Sequence, residues 1–263
     1  MQLTDAVAVV TGGSRGIGRA IVAAFLDEGA RVAFNGRDSM KGRVALEELV
    51  AAGYAADRLL FMTGDARSSA DVKAVIDAAA ERWGHIDVMV NNAGGITAPA
   101  PVASLTDEAW ANDLQWNLTS VFYGTKHAFA HMLARGAGTV INISSVEGKT
   151  GAPGMAGYVA VKHGIHGLTK AAAAEVGRMG ITVNAICPGL ILTDSVAQGG
   201  PGTAAAMGLT FEEMIDQVFK AKTLTGTLNT VEQVAAVAVL LASPAGRGIT
   251  GTFINVDGGQ APY

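Results

Sequence analysis

Short runs rich in β-branched residues alternate along the whole chain with longer, Ala-rich amphipathic runs, and few architectures accept that pattern. Val7–Val10, Arg31–Asn35, Leu59–Thr63, Val88–Asn91, Gly138–Ile143, Thr182–Cys187 and Thr252–Val256 read as strands. Between them, Gly18–Glu28, Lys41–Ala52, Ala70–Trp83, Trp110–Arg135, Tyr158–Met179 and Val231–Ala242 carry helical periodicity. Repeated strand–helix–strand units close right-handed and lay their strands parallel, so both faces of the sheet are covered by helices. The expectation is an α/β, doubly wound parallel sheet of about seven strands.

The 263 residues would allow two domains, but no Pro- or Ser-rich linker and no internal repeat divides them. One domain over 1–263 is expected. One departure from compactness is a Gly-, Ala- and Thr-rich stretch from Leu190 to Thr227, with one helix expected at Phe211–Lys222. It follows the sixth strand at the carboxyl edge, where ligands of open α/β sheets bind, and reads as a substrate lid.

Several classes of function are excluded by composition. A net charge of −4 with scattered Lys and Arg argues against nucleic acid or an acidic membrane as partner. A single cysteine, Cys187, forbids an intrachain disulfide and fits a reducing cytoplasm. No run approaches the roughly 20 apolar residues of a spanning helix, and Ala6–Val10 is too short for a signal-peptide core. The five histidines show no ligand spacing with acidic or sulfur partners, so no metal is expected.

Two local patterns carry chemistry. Thr11-Gly12-Gly13-Ser14-Arg15-Gly16-Ile17-Gly18 leaves the first strand and opens the first helix. Gly12 permits a tight turn, while Gly16 and Gly18 let backbone and helix approach a pyrophosphate at the positive end of the helix dipole. Further on, Tyr158 and Lys162 lie four apart, on one face if the segment is helical. A neighbouring ammonium favours phenolate and is expected to lower the phenol pKa. Ser145 precedes Tyr158 by thirteen residues and Ser144 by fourteen. A strand turns these two serines to opposite faces.

The Thr-Gly-x-x-x-Gly-x-Gly spacing resembles that of short-chain dehydrogenases/reductases, and the resemblance spans nearly the whole chain, to Asn255-Val256-Asp257-Gly258-Gly259. It implies a Rossmann-like fold and hydride exchange between a nicotinamide cofactor and a secondary alcohol or its ketone. By resemblance, Asn117, Ser145, Tyr158 and Lys162 form the catalytic set. Tyr158 moves the proton and Ser145 bonds the substrate oxygen. Lys162 lowers the Tyr158 pKa and holds the nicotinamide ribose, and Asn117 anchors a water leading to solvent. The cofactor would lie along Gly12, Ser14, Arg15, Gly16, Ile17 and Gly18, then Asn92, Ala93 and Gly94 of Asn91-Asn92-Ala93-Gly94. Asp65 beside Ala66 matches the family's acceptor for the adenine amino group. Pro188, Gly189, Ile191 and Thr193 match its nicotinamide clamp. A homotetramer, built on Asn112–Arg135, Tyr158–Met179 and the last strand, is the family expectation.

The second strand ends Asn35-Gly36-Arg37-Asp38, without the carboxylate that binds the adenosine ribose in NAD enzymes. Arg37 and Arg15 suit a 2′-phosphate, which favours NADP(H). NAD(H) stays possible if Asp38 neutralises Arg37. For substrate, the expected pocket is lined mostly by small or apolar residues, suiting an uncharged, medium-sized ketone or a 3-oxoacyl thioester, as in 3-oxoacyl-carrier-protein reductases. The lid resembles that of 3-hydroxybutyrate dehydrogenases, an NAD-dependent alternative, yet Glu147 would repel a carboxylate. A non-catalytic NADP(H)-binding sensor is the rival from another class; it has no reason to keep Ser145, Tyr158 and Lys162 together.

Overall fold

The computed structural model describes residues 1–261. Seven parallel strands, β1 (Val7–Val10), β2 (Arg31–Gly36), β3 (Leu59–Thr63), β4 (Val88–Asn91), β5 (Gly138–Ile143), β6 (Ile181–Pro188) and β7 (Phe253–Val256), form one sheet in the order β3-β2-β1-β4-β5-β6-β7. Each lies within one residue of the sequence expectation at either end. β1 and β6 are buried along their whole length, as strands covered on both faces must be.

On one face pack α1 (Gly16–Asp27), α2 (Ser39–Ala51) and, reached later in the chain, the helix Val231–Ala242, around Phe25, Phe34 and Leu49. On the other lie α3 (Ser69–Trp83) and two long helices, around Ile76, Met89 and Met132. The chain order reverses between β1 and β4, which opens a crevice at their carboxyl ends.

The expected helix Trp110–Arg135 is three pieces: α4 (Asp107–Asp113), a π-helical turn Leu114–Thr119, and α5 (Ser120–Arg135). Within that turn the Asn117 side chain bonds the Gly95 backbone on both sides, donating to its carbonyl oxygen and accepting from its N–H. These anchor points hold one extra residue in the turn. α6 (Ala156–Val176) then follows β5.

The lid carries more structure than its composition implies. α7 (Asp194–Ala206) runs through Gly199, Gly200, Pro201 and Gly202, where the sequence gives no helical signal. Gly200 is seated against the Phe211 ring, which a Cβ there would overlap. The expected Phe211–Lys222 helix is present as α8 (Phe211–Glu213) followed by a π turn and a 3₁₀ turn ending at Lys222. A small core of Ala204, Met214 and Ile215, with Leu190, Phe211 and Leu228 packed on it, joins these pieces. α9 (Val231–Ala242) returns the chain to the sheet.

α6 is fastened beneath the sheet edge by His166. Its Nε2 lies 3.0 Å from Ser144 Oγ and 3.3 Å from Cys187 Sγ, and its ring stacks on Phe253 at 4.0 Å. Burial, with the nearby cations Lys149, His163, Lys162 and Lys170, pushes the imidazole down to about 4. The native state therefore binds fewer protons than the unfolded chain between about pH 4 and the ordinary histidine range, and stability rises with pH across that window. From a displacement of about 2.5 pH units, the native state is expected to lose on the order of 3 kcal/mol between pH 7 and pH 4 through this group. Urea unfolding at both pH values, wild type against His166→Gln, measures it. The variant is expected to show the smaller pH dependence; equal slopes would contradict this.

Candidate active site

The glycine-rich turn is clasped to the sheet from two sides. Thr11 Oγ1 accepts from the N–H groups of Asn92 at 3.0 Å and Ala93 at 3.1 Å. Asn92 Nδ2 donates to the carbonyl oxygens of Thr11 and Gly12, at 2.9 and 3.1 Å. From β2, Asn35 Oδ1 accepts from Gly12 N–H at 3.0 Å. Gly12 and Gly16 sit at φ +66° and +55°, which L side chains rarely adopt. At Gly18 a Cβ would overlap both Asn92 Nδ2 and the Gly12 carbonyl oxygen, so this position accepts only hydrogen.

The helix starts divide into two groups. Asp38, Ser68, Thr106 and Thr230 cap α2, α3, α4 and α9 with side-chain oxygens. α1, α6 and α7 begin at Arg15, Met155 and Thr193 with no side-chain cap. Uncapped starts leave backbone donors for another partner. At Gly16 a Cβ would lie 3.3 Å from Thr193 Cγ2, so the start of α7 closes on the start of α1. Ile191 is buried and bridged to Asn229. Gly189 N–H donates to the Val256 carbonyl, which sets the Pro188-Gly189 turn against β7. The uncapped α1 start, the bare glycine backbone and the facing Thr193 fit a dinucleotide pyrophosphate.

At the crevice's other end, Gly36 leaves room beside Ser14, whose Oγ would be 3.0 Å from a Cβ there. Asp38 is committed to the start of α2, accepting from the N–H groups of Met40 and Lys41, and its ion-pair partner is Lys41. Arg37 is thus not neutralised by Asp38; its guanidinium stands over the Trp116 ring at 5.3 Å. Asp65, beside the buried Ala66, is held by Arg67 through Nε at 2.9 Å and Nη2 at 2.6 Å. Burial raises the Asp65 carboxyl, but the bonds from Arg67 and the charge of Arg37 outweigh it and hold the group below its usual range. Arg67 and Trp116 were not expected at this end. Only the two-residue spacing from Asp65 hinted at the first.

The four proton-transfer candidates converge at the carboxyl ends of β4 and β5. Ser145 follows β5 in extended conformation, buried beside Tyr158. Ser144 points the other way, to His166, as strand alternation requires. Asn117 is 1% exposed, and Gly94 must lack a Cβ, which would come 2.7 Å from Asn117 Oδ1 and 3.8 Å from Lys162 Nζ. Burial pushes the Tyr158 phenol up to about 12; the Ser145 hydroxyl opposes this, while the charges of Glu147 and Asp113 add to it. Burial also lowers Lys162 to about 8, against a small opposing pull from Cys187.

One expectation is corrected here. The Tyr158 pKa lies above its usual value, not below it as expected, because burial outweighs the pull of Lys162. Its Nζ stands over the ring face, 5.3 Å from the centroid, and donates to the Ile143 carbonyl at 3.0 Å. A buried ammonium takes the nearest strong acceptor, and that acceptor is backbone. The phenol keeps its proton.

A family profile described as short chain dehydrogenase matches residues 6–204. The D-beta-hydroxybutyrate dehydrogenase of Rhizobium meliloti (strain 1021) is 37% identical over 96% of this chain and 97% of its own length. The 3-oxoacyl-acyl-carrier-protein reductase of Staphylococcus aureus (strain Mu50) is 38% identical over 99% of both chains. Among solved structures, an actinorhodin polyketide ketoreductase variant with NADPH superposes with a TM-score of 0.92 at 37% identity, over 98% of both chains. Sheet order, motif placement and these likenesses agree: the chain belongs to the short-chain dehydrogenase/reductase family of oxidoreductases.

Proposed function

We propose that this enzyme is an NADP(H)-dependent reductase of neutral ketones of the 3-oxoacyl type, with Tyr158 as general acid. The observation that carries this reading is the convergence of Tyr158, Ser145 and Lys162 beside Gly94, at the crevice bounded by the clasped glycine turn. Names borne by similar proteins support the substrate class: a 3-oxoacyl reductase and a polyketide ketoreductase solved with NADPH.

The cofactor would be held by Gly12, Ser14, Arg15, Gly16, Ile17 and Gly18, by Asn92, Ala93 and Gly94, and by Pro188, Gly189, Ile191 and Thr193. When bound, it supplies the hydride. The protein's own work is orientation and proton transfer. A phenol held protonated near pH 7 is the acid that ketone reduction needs, and Tyr158 donates its proton to the carbonyl oxygen. Ser145 donates a second hydrogen bond to the same oxygen as its negative charge grows. Lys162, over the Tyr158 ring, stabilises the phenolate left behind, and would hold the ribose hydroxyls of the bound cofactor. Asn117 fixes Gly95 and the π turn, and with them the wall of the proton path. Run in reverse, the set oxidises the alcohol.

NADP(H) is favoured because Arg37 is not neutralised by Asp38 and Gly36 offers no carboxylate to the ribose. Asp65 beside Ala66 lies at the adenine end. We read the protein as a cytoplasmic homotetramer; no helix among the described residues is long and apolar enough to cross a membrane, and α5 exposes Phe122 and Leu133.

Tyr158→Phe is expected to cut kcat/KM by roughly 100- to 10,000-fold while NADPH binding, followed by fluorescence titration, is kept. Near-normal kcat would remove Tyr158 from the role. Arg37→Ala tests the cofactor reading. Loss of a charge-assisted contact to phosphate is expected to weaken NADPH by about 10- to 100-fold, with little change for NADH. Equal losses for both cofactors would show that Arg37 does not read the phosphate.

A further inference from the structure

The pocket in front of Tyr158 is walled by apolar residues, among them Ile96, Pro99, Leu105 and Met155, with Asp113 set into it. Asp113 is the last residue of α4, one helical turn before Asn117, and is 3% exposed. Its Oδ1 accepts a hydrogen bond from the Thr97 hydroxyl at 2.7 Å. Among the described residues no hydrogen bond reaches its Oδ2. That oxygen lies against the first turn of α6, where a Cβ at Gly157 would overlap it. The free N–H groups of the turn do not donate to it, so it is not a helix cap.

A carboxylate buried with one neutral hydrogen bond is poorly compensated, and a second donor would stabilise it considerably. Asp113 lines the same narrow pocket as the Tyr158 side chain. Its charge, with that of Glu147, is felt at the phenol. A substrate brought to Tyr158 along this pocket would lie close to Asp113.

We propose that Asp113 is the specificity residue of this pocket: its Oδ2 accepts a hydrogen bond from an O–H or N–H group of a neutral substrate, and its charge turns away substrates bearing a carboxylate. The inference rests on the reductase reading and sharpens it. A 3-oxoacyl thioester, whose thiol arm carries amide N–H groups, meets both conditions. A free 3-oxo acid meets neither, because like charges in a poorly solvated pocket repel strongly. Asparagine at this position keeps the acceptor for Thr97 but puts a donor in place of Oδ2, and so removes the repulsion of a carboxylate.

The test compares kcat/KM with NADPH for three substrates: the N-acetylcysteamine thioester of 3-oxobutanoate, its methyl ester, and 3-oxobutanoate itself. In the wild type the order thioester, ester, acid is expected. Asp113→Asn is expected to narrow the thioester-to-acid ratio by on the order of 10-fold or more, equivalent to about 1.4 kcal/mol, with the acid gaining. An unchanged ratio, with only a lower melting temperature, would make Asp113 a structural residue and overturn the proposal. Should the variant fail to fold, the wild-type order decides: an acid turned over as well as the thioester overturns it. If no substrate in a wider panel of ketones consumes NADPH in the wild type, the reductase reading itself falls and takes this inference with it.

Discussion

The hydrogen bonds that tie Thr11 and Gly12 to Asn92 and Asn35 are the constraint on which the rest of the site depends. They join the carboxyl ends of β1, β4 and β2, three strands that meet where the order of the sheet reverses. With that clasp in place, Gly12 must turn left-handed, Gly18 must be bare and α1 must start at Gly16. Gly94, two residues beyond Asn92, is then placed against Asn117 and near Lys162. The turn proposed to hold phosphates and the set proposed to move protons are thus parts of one hydrogen-bonded edge. The geometry of one cannot change without disturbing the other.

Burial acts on the proton-transfer set in a consistent direction. It raises the phenol of Tyr158 and lowers the ammonium of Lys162, so both neutral forms gain. A dry environment also strengthens each hydrogen bond that a carbonyl oxygen would receive there from Tyr158 and Ser145. Beneath it, Asn91, Asn142 and Thr169 form a buried polar chain with Thr125, joining β4, β5, α5 and α6. With His166 below Ser144, this chain fixes the helix that carries Tyr158 and Lys162 against the strand that carries Ser145. Bonded polar groups of this kind favour one arrangement of the elements over others, although Asn91 Oδ1 itself has no partner among the described residues.

The fold was legible because the central strands are buried on both faces, so β-branched runs stand out against Ala-rich helices. The glycine turn was legible because its positions demand left-handed or bare backbone, whereas Ser145, Tyr158 and Lys162 were read from the family resemblance, since a four-residue spacing alone is common. The π turn was not, since its cause is a contact between Asn117 and Gly95, distant in sequence. α7 was hidden by Gly199, Gly200, Pro201 and Gly202, and forms because tertiary packing against Phe211 outweighs poor helix propensity. The direction of the Tyr158 shift was read wrongly from the four-residue spacing alone. Spacing places two side chains on one face, but not the ammonium beside the phenol oxygen. Asp113 lies one turn from Asn117, and that same spacing was the available signal for a side chain facing the pocket.

The central claim is that this edge holds a phosphorylated nicotinamide cofactor and uses it to reduce a neutral carbonyl group. Its most direct test is the decay of reduced-nicotinamide absorbance, with NADPH and NADH in parallel, against a panel of ketones and 3-oxoacyl thioesters. The account predicts rapid oxidation of NADPH, much slower oxidation of NADH, and a thioester among the fastest substrates. NADPH bound tightly but never oxidised by any member of the panel would contradict it, leaving a cofactor-binding protein without the proposed chemistry.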